Sequence, residues 1–414
     1  MEASAGGRDG VGTLAFRAGL VALAALALWF SIRNALHGLV ERDFPAMGLA
    51  IGPASPVSAG VIALNRAAVK QGFADARARE LMEQAARDAP LLAEPFIVAG
   101  LDASAREDFP RAQRLFEEAQ RRDPRHVLPR YWLFDWYLRS GRYRQGVAEA
   151  QPLIRLQPAA APATVAVLTA LLDVPEGRAA LLDAIRRGPI WRRAFFDQVA
   201  ASPRLLGGGA ALLRATAPEG AAGWSREYGS VLRGLVRARD YRAAYGLWLR
   251  ALPAAARPAA PGVHDGDFAG RPGVEPFGWR LPGARRGATQ AVEAEDAPAG
   301  TGLAIRSDGD RAATLAEQLV PVPAGPLRFS FAARALEDAA VGDAGLRAEV
   351  RCAADGAVVA TTVLAAAPAR LEPRTLDLDL PARCGAALVR FAIQPGIEPG
   401  PLNILLTGVK LSPR

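Results

Sequence analysis

The chain passes through three hydrophobic patterns in turn. The first has no alternation: Ala18 to Ile32 (AGLVALAALALWFSI) carries no charge. Extended back to Val11, the run is about long enough to cross a bilayer, with Arg17 the one charge inside it. Arg17 and Arg33 stand near its ends, where long cationic side chains can reach headgroups, and Trp29 and Phe30 fall near one boundary. The pattern predicts a transmembrane signal anchor over residues 11–34, behind a cytoplasmic tail of residues 1–10. Two alternatives stay open. One is a cleaved signal peptide, for which Arg33-Asn34-Ala35 is a poor small-x-small site; the other is a buried N-terminal helix. Flanking charge orients the run weakly, with Arg8 and Arg17 before it and Arg33 and Arg42 after it, beside Glu41 and Asp43. A short tail ahead of a large domain predicts the tail inside and the bulk outside.

The second pattern is helical. Over residues 44–252, apolar positions recur at three- and four-residue steps between tight connections. Proline punctuates it at a fixed interval: Pro56, Pro90, Pro124 and Pro158 are 34 residues apart. Before Asp123-Pro124 stand Phe109, Ala112, Phe116 and Ala119; Ala78, Met82 and Ala85 hold the corresponding places before Pro90. Gly141 and Tyr143 fall at an inter-helix turn, and Tyr241, Ala244, Trp248 and Ala251 repeat the spacing further on. Gly207-Gly208-Gly209, lacking a following Lys-Ser/Thr, is expected to be a turn rather than a phosphate loop.

The third pattern follows a proline- and alanine-rich stretch, residues 253–263, which reads as a semi-rigid linker. Beyond it the period becomes two. Leu327, Phe329 and Phe331 share a face, as do Ala348, Val350 and Cys352, with Arg347, Glu349 and Arg351 opposite. Leu402–Leu411, Leu388–Gln394, Thr375–Leu380, Val358–Leu364, Leu315–Val320 and Leu303–Arg306 complete some eight strands. The expected fold is thus multidomain, α then β: an N-terminal transmembrane helix, an α-solenoid over 44–252, and an antiparallel β-sandwich of jelly-roll type over 264–414.

Two resemblances follow from these residues. The 34-residue unit, with its Gly-x-aromatic turn, small residues and Asp-Pro, resembles the tetratricopeptide repeat. Departures are Gly146 and Leu153 at small-residue positions, and the match weakens after Pro158. The resemblance implies a concave groove for peptide segments of a protein partner, with Tyr131 and Asp135 facing it. Trp132, Trp136 and Tyr137 read as inter-helix core, a ligand platform being the alternative. The opening HDGDFAG (His264–Gly270) with Trp279 resembles the start of galactose-binding-like jelly rolls found in carbohydrate-binding modules. On that resemblance Phe268, Phe277 and Trp279 read as core or edge packing, with Phe277 and Trp279 as candidate glycan contacts in the alternative.

Charge and chemistry narrow the rest. The formal net charge is +8, but nearly all cations are arginine, and no Lys/Arg block occurs, so nucleic-acid binding is not expected. The two cysteines, Cys352 and Cys384, both lie in the β-rich part and are expected to form a disulfide, which an oxidising compartment permits; two packed free thiols are the alternative. His37, His126 and His264 show no metal-ligand spacing, and no nucleophile elbow, phosphate loop or dinucleotide fingerprint is present. No catalytic residue, metal or cofactor is expected, and the protein is not expected to be an enzyme. The resulting expectation is a bacterial inner-membrane protein, single-pass, with its bulk in the periplasm. It would act as a cell-envelope scaffold holding a protein partner and touching a polysaccharide, in polysaccharide assembly or export. A stand-alone carbohydrate-binding protein and a divergent glycan-active enzyme are the alternatives.

Overall fold

The computed structural model describes residues 8–40, 43–47, 55–216, 225–281, 288–336, 344–365, 367–396 and 400–414. The chain forms two compact units, Met1–Thr164 and Val165–Arg414.

In the first unit, short polar side chains set where helices begin. Ser55 accepts from the Ser58 amide at the start of α2 (Pro56–Val69), and Asp75 from the Ala78 amide at the start of α3 (Ala76–Asp88). Asp108 does the same for α5 (Phe109–Arg122), each bond satisfying an amide that the first helical turn leaves without a partner. With α4 (Glu94–Ala105), α6 (Val127–Arg139) and α7 (Tyr143–Leu156), these make successive helix pairs: α2 with α3, α4 with α5, α6 with α7. Each pair also packs on the next, α2 against α4 and α5 against α6. The small residues lie in the contacts: Ala78, Ala85, Ala112 and Ala119 are fully buried, with Phe116 between the last two. The recurrent prolines divide in role. Pro56 opens a helix and Pro158 a 3-10 turn, whereas Pro90 and Pro124 sit in the connecting turns a few residues before α4 and α6.

The expected membrane anchor is corrected. Helix α1 (Arg8–Val40) is continuous, yet among the described residues no helix is long and apolar enough to cross a membrane. The placement of charge explains why. The 15 uncharged residues between Arg17 and Arg33 make about 22 Å of helix, against about 30 Å of hydrocarbon. The single-pass inner-membrane placement, with the bulk in the periplasm, falls with the anchor. Residues 1–7 of the expected tail and flanking Arg42 lie outside the described residues.

The division between units falls inside α8 (Ala161–Ala170), not at the Pro/Ala stretch. The second unit therefore joins α9 (Pro175–Arg186), α10 (Arg192–Ala201), α11 (Leu206–Thr216), α12 (Arg226–Arg237) and α13 (Tyr241–Ala251) to the β domain. The Gly207–Gly209 run is not a turn: it lies in the first turn of α11. A Cβ on Gly209 would stand 2.3 Å from a Val199 methyl, so the glycine permits α11 to approach α10. Residues 253–263 do not hang free either. Leu252 is fully buried, and the Arg257 guanidinium donates to the Leu249 and Leu252 carbonyls, tying the stretch to the end of α13.

The β domain is an antiparallel sandwich, as the alternation predicts. Its described strands are β1 (Ala288–Glu293), β2 (Thr301–Ser307), β3 (Thr314–Val320), β4 (Gly325–Ala335), β5 (Gly345–Cys352), β6 (Val358–Leu364), β7 (Glu372–Leu380), β8 (Ala387–Gln394) and β9 (Leu402–Pro413). One sheet runs β1-β2-β9-β4-β7 and the other β3-β8-β5-β6. Leu327, Phe329 and Phe331 of the first meet Ala348, Val350, Val389 and Phe391 of the second in one core. Strand β1 escapes sequence reading because ATQAVE at a sheet edge carries little apolar alternation.

Candidate functional site

In the first unit, α6 builds the candidate site. His126 caps the helix by accepting from the Leu128 amide through Nδ1. One helical face then turns inward. Trp132 stacks on Phe116 with centroids 4.6 Å apart and donates through Nε1 to Ser104 Oγ at 3.0 Å. Trp136 stacks on Phe109 and donates to Gln113 Oε1, and Tyr137 donates its hydroxyl to Glu117 Oε1 at 2.8 Å. Burial first, and then the Glu117 carboxylate, push the Tyr137 hydroxyl well above its ordinary range, so it stays a neutral donor. These three aromatics knit α4, α5 and α6 together.

The opposite edge of α6 is open. Tyr131, 52% exposed, and Asp135 line a groove of about 500 Å³ with Leu101, Leu128, Trp132 and Gln157. Asp135 pairs with Arg139 one turn on at 2.8 Å, both side chains more than half exposed, so its carboxylate stays accessible. The structure thus brings Tyr131 and Asp135 into one concavity, apolar along its floor and anionic at one point. A hydrophobic side chain with a cation nearby would satisfy both features.

The β domain places its sequence candidates inside. Phe277 is 1% exposed and meets Trp248 and Tyr245 of α13, so it offers no face to a ligand. Trp279 packs on Phe268 and Phe391 and donates through Nε1 to the Asp265 carbonyl. The His264–Gly270 motif is a folded anchor. The Asp265 carboxylate accepts from the amides of Ala269, Gly270 and Arg271, and Gly266 lies where a Cβ would come 2.0 Å from the Val409 carbonyl oxygen. Cys352 and Cys384 are bonded to each other, both fully buried, with Cα atoms 4.9 Å apart.

Sequence reading overlooks one surface. On the outer face of β3-β8-β5-β6, Glu317 pairs with both Arg280 and Arg390, and Glu349 with both Arg347 and Arg351. Glu349 is only 3% exposed, although it points away from the core. Its burial comes from the arginines around it.

The fold is therefore a helical array followed by an antiparallel β-sandwich. No family model matches the chain, and no curated protein matches it. Solved structures similar to it include carbohydrate-binding modules. A family 61 module in complex with β-1,4-galactotriose is 15% identical, covering 38% of this chain and 97% of that one, at a TM-score of 0.27. A family 4 module is 14% identical over 33% of this chain and 86% of its own, at 0.24. The N-terminal cellulose-binding domain of Cellulomonas fimi β-1,4-glucanase C is 17% identical over 38% and 97%, at 0.20. Values this low transfer no activity to this chain, so function rests on the geometry.

Proposed function

We propose that this chain is a non-catalytic binding protein whose first unit is a TPR-like array that takes a peptide segment of a protein partner. The observation that carries the reading is the open groove at Tyr131 and Asp135, set on a helix whose other aromatics are locked in the core. Successive helix pairs with alanines buried between them support the TPR-like character. The occupant is expected to insert an apolar side chain beside Tyr131 and Leu128 and to bring a lysine or arginine to Asp135. The sandwich offers no strip of aromatic rings for stacking on a sugar: of its six aromatic residues after residue 263, five are buried and Trp279 is partly buried against the core.

A peptide-display selection on the full chain tests this. Enriched peptides should share an apolar residue near a basic one, and should lose binding to a Tyr131→Ala, Asp135→Arg variant of unchanged helical content. Peptides that bind that variant as well as the natural chain would sink the reading.

A further inference from the structure

The outer face of the four-stranded sheet carries a charge arrangement that strand pairing alone does not call for. Antiparallel register aligns Arg280, Glu317, Arg390 and Glu349 in one row across neighbouring strands, about 4.8 Å apart per strand. Arg347 and Arg351 flank Glu349 two residues away on either side, on the same face of β5. Each carboxylate is shared by two guanidinium groups. Glu317 Oε1 takes Arg280 at 2.6 Å and Oε2 takes Arg390 Nε at 2.7 Å; Glu349 Oε2 takes Arg351 Nε at 2.6 Å, with Arg347 Nε 3.1 Å from Oε1. Four cations therefore face two anions, and the surplus lies on an accessible surface: side-chain exposure is 47% for Arg280, 34% for Arg347 and 25% for both Arg351 and Arg390.

The two glutamates, Glu349 buried and Glu317 partly buried, fix the arginines rather than neutralise them. A guanidinium has five donors in a rigid fork, and each here spends only some of them on its carboxylate. Arg347 Nε is buried 3.1 Å from Glu349 Oε1, so the donors Arg347 offers outward are those on the exposed remainder of its side chain. Such a row presents oriented, unspent donors to an incoming anion and needs little ordering on binding.

We infer that this face binds an acidic polysaccharide, a chain of carboxylated or sulfated sugars, through Arg280, Arg347, Arg351 and Arg390. The chemistry of the surroundings selects that ligand among anions. Five of the six aromatic residues after residue 263 are buried and the sixth, Trp279, is partly buried against Phe268 and Phe391, so the sandwich lacks the row of stacking rings that single-stranded nucleic acid uses and the cluster of aromatic anchors typical of protein hot spots. What remains is repeated, charge-assisted hydrogen bonding along a sheet, which suits a hydrated chain bearing repeated anions. The inference rests on the second unit alone and stands or falls independently of the peptide groove.

Affinity electrophoresis and calorimetry of the full chain with a polyuronate, a neutral glucan, single-stranded DNA and acidic vesicles test it. The polyuronate should bind and the neutral glucan should not, and added salt should weaken binding. Arg347→Gln with Arg390→Gln should weaken it by about tenfold or more, since each lost charge-assisted bond is worth upward of about 1.4 kcal/mol. Arg347→Lys with Arg390→Lys should retain most of it, and a thermal melt of each variant separates lost binding from lost fold. Absence of polyuronate binding by the natural chain, or undiminished binding by a folded Gln variant, overturns the proposal. Equal binding of DNA or vesicles overturns the polysaccharide assignment.

Discussion

Trp248 and His264 meet edge to face, with ring centroids 4.9 Å apart and planes at 85°. Trp248 is fully buried and donates through Nε1 to the Val274 carbonyl at 3.0 Å. The last helix and the opening loop of the sandwich thereby share one packed cluster, completed by Phe277 and Tyr245. On Trp248→Ala the second unit should lose roughly 3–5 kcal/mol, the usual cost of deleting a buried large aromatic. Trp248→Phe should lose less, mainly the indole hydrogen bond. Denaturant unfolding followed on the sandwich checks this, and an unchanged midpoint for Trp248→Ala would show that α13 and the sandwich are energetically separate.

His264 makes that cluster sensitive to pH. Its Nε2 contacts the Pro272 carbonyl, which can only accept, so Nε2 carries the proton of a neutral ring. Burial holds the imidazole below its ordinary value of 6.5, outweighing that hydrogen bond and the nearby Asp265. The unfolded chain therefore takes up a proton before the folded one does. Stability is full above the ordinary value and falls as pH drops from about 6.5 towards the lower folded value. Urea midpoints measured between about pH 7 and 5 should decline for the natural chain and flatten for His264→Gln. Parallel curves for the two proteins would remove the assignment.

The disulfide gives a third expectation. Cys352 ends β5 and Cys384 ends the short turn before β8, 32 residues on. Closing a loop of that length stabilises the folded state by about 3–4 kcal/mol in the chain-entropy treatment. Cys352→Ser with Cys384→Ser should lower the melting temperature of the second unit and leave the first unit's transition in place. Calorimetry resolving the two transitions reads both at once.

How far the sequence foretold this structure depends on whether the signal was local. Val358–Leu364 is rich in β-branched residues, and it is β6 residue for residue. Leu327, Phe329 and Phe331 declare a core face that packing then uses. Ala78, Ala112 and Ala119 mark helix contacts because only small residues allow close approach. Signals that need distant partners stay hidden. Arg347, Glu349 and Arg351 read as an ordinary solvated strand face; only β8, arriving in register with Arg390, shows that Glu349 is enclosed. For Phe277 and Trp279 the sequence leaves core packing and glycan contact both open; in the structure α13 packs on Phe277, and Trp279 packs on Phe391 of the sandwich core. The apolar run in α1 misled for a further reason: composition resembles a span, but Arg17 shortens the uncharged length below a bilayer's thickness.

Adjacent residues on α6 give the sharpest test of the groove. Tyr131 is 52% exposed and Trp132 is stacked in the core, so the same truncation should act on different properties. Tyr131→Ala removes no packed partner and should change stability by no more than about 0.5 kcal/mol, the usual range for a surface site. Trp132→Ala deletes the ring on Phe116 and the bond to Ser104 and should cost about 3 kcal/mol or more. Binding should fall in Tyr131→Ala although stability does not; Trp132 also lines the groove, so its truncation is read on stability. Selected peptides should lose affinity for Tyr131→Ala by about tenfold, the value of one buried aromatic contact. They should lose more for Tyr131→Ala with Asp135→Arg, where a basic peptide side chain meets a like charge. Loss of binding in Tyr131→Ala accompanied by a Trp132-sized loss of stability would mean that Tyr131 serves the fold. The groove would then be a by-product of helix packing.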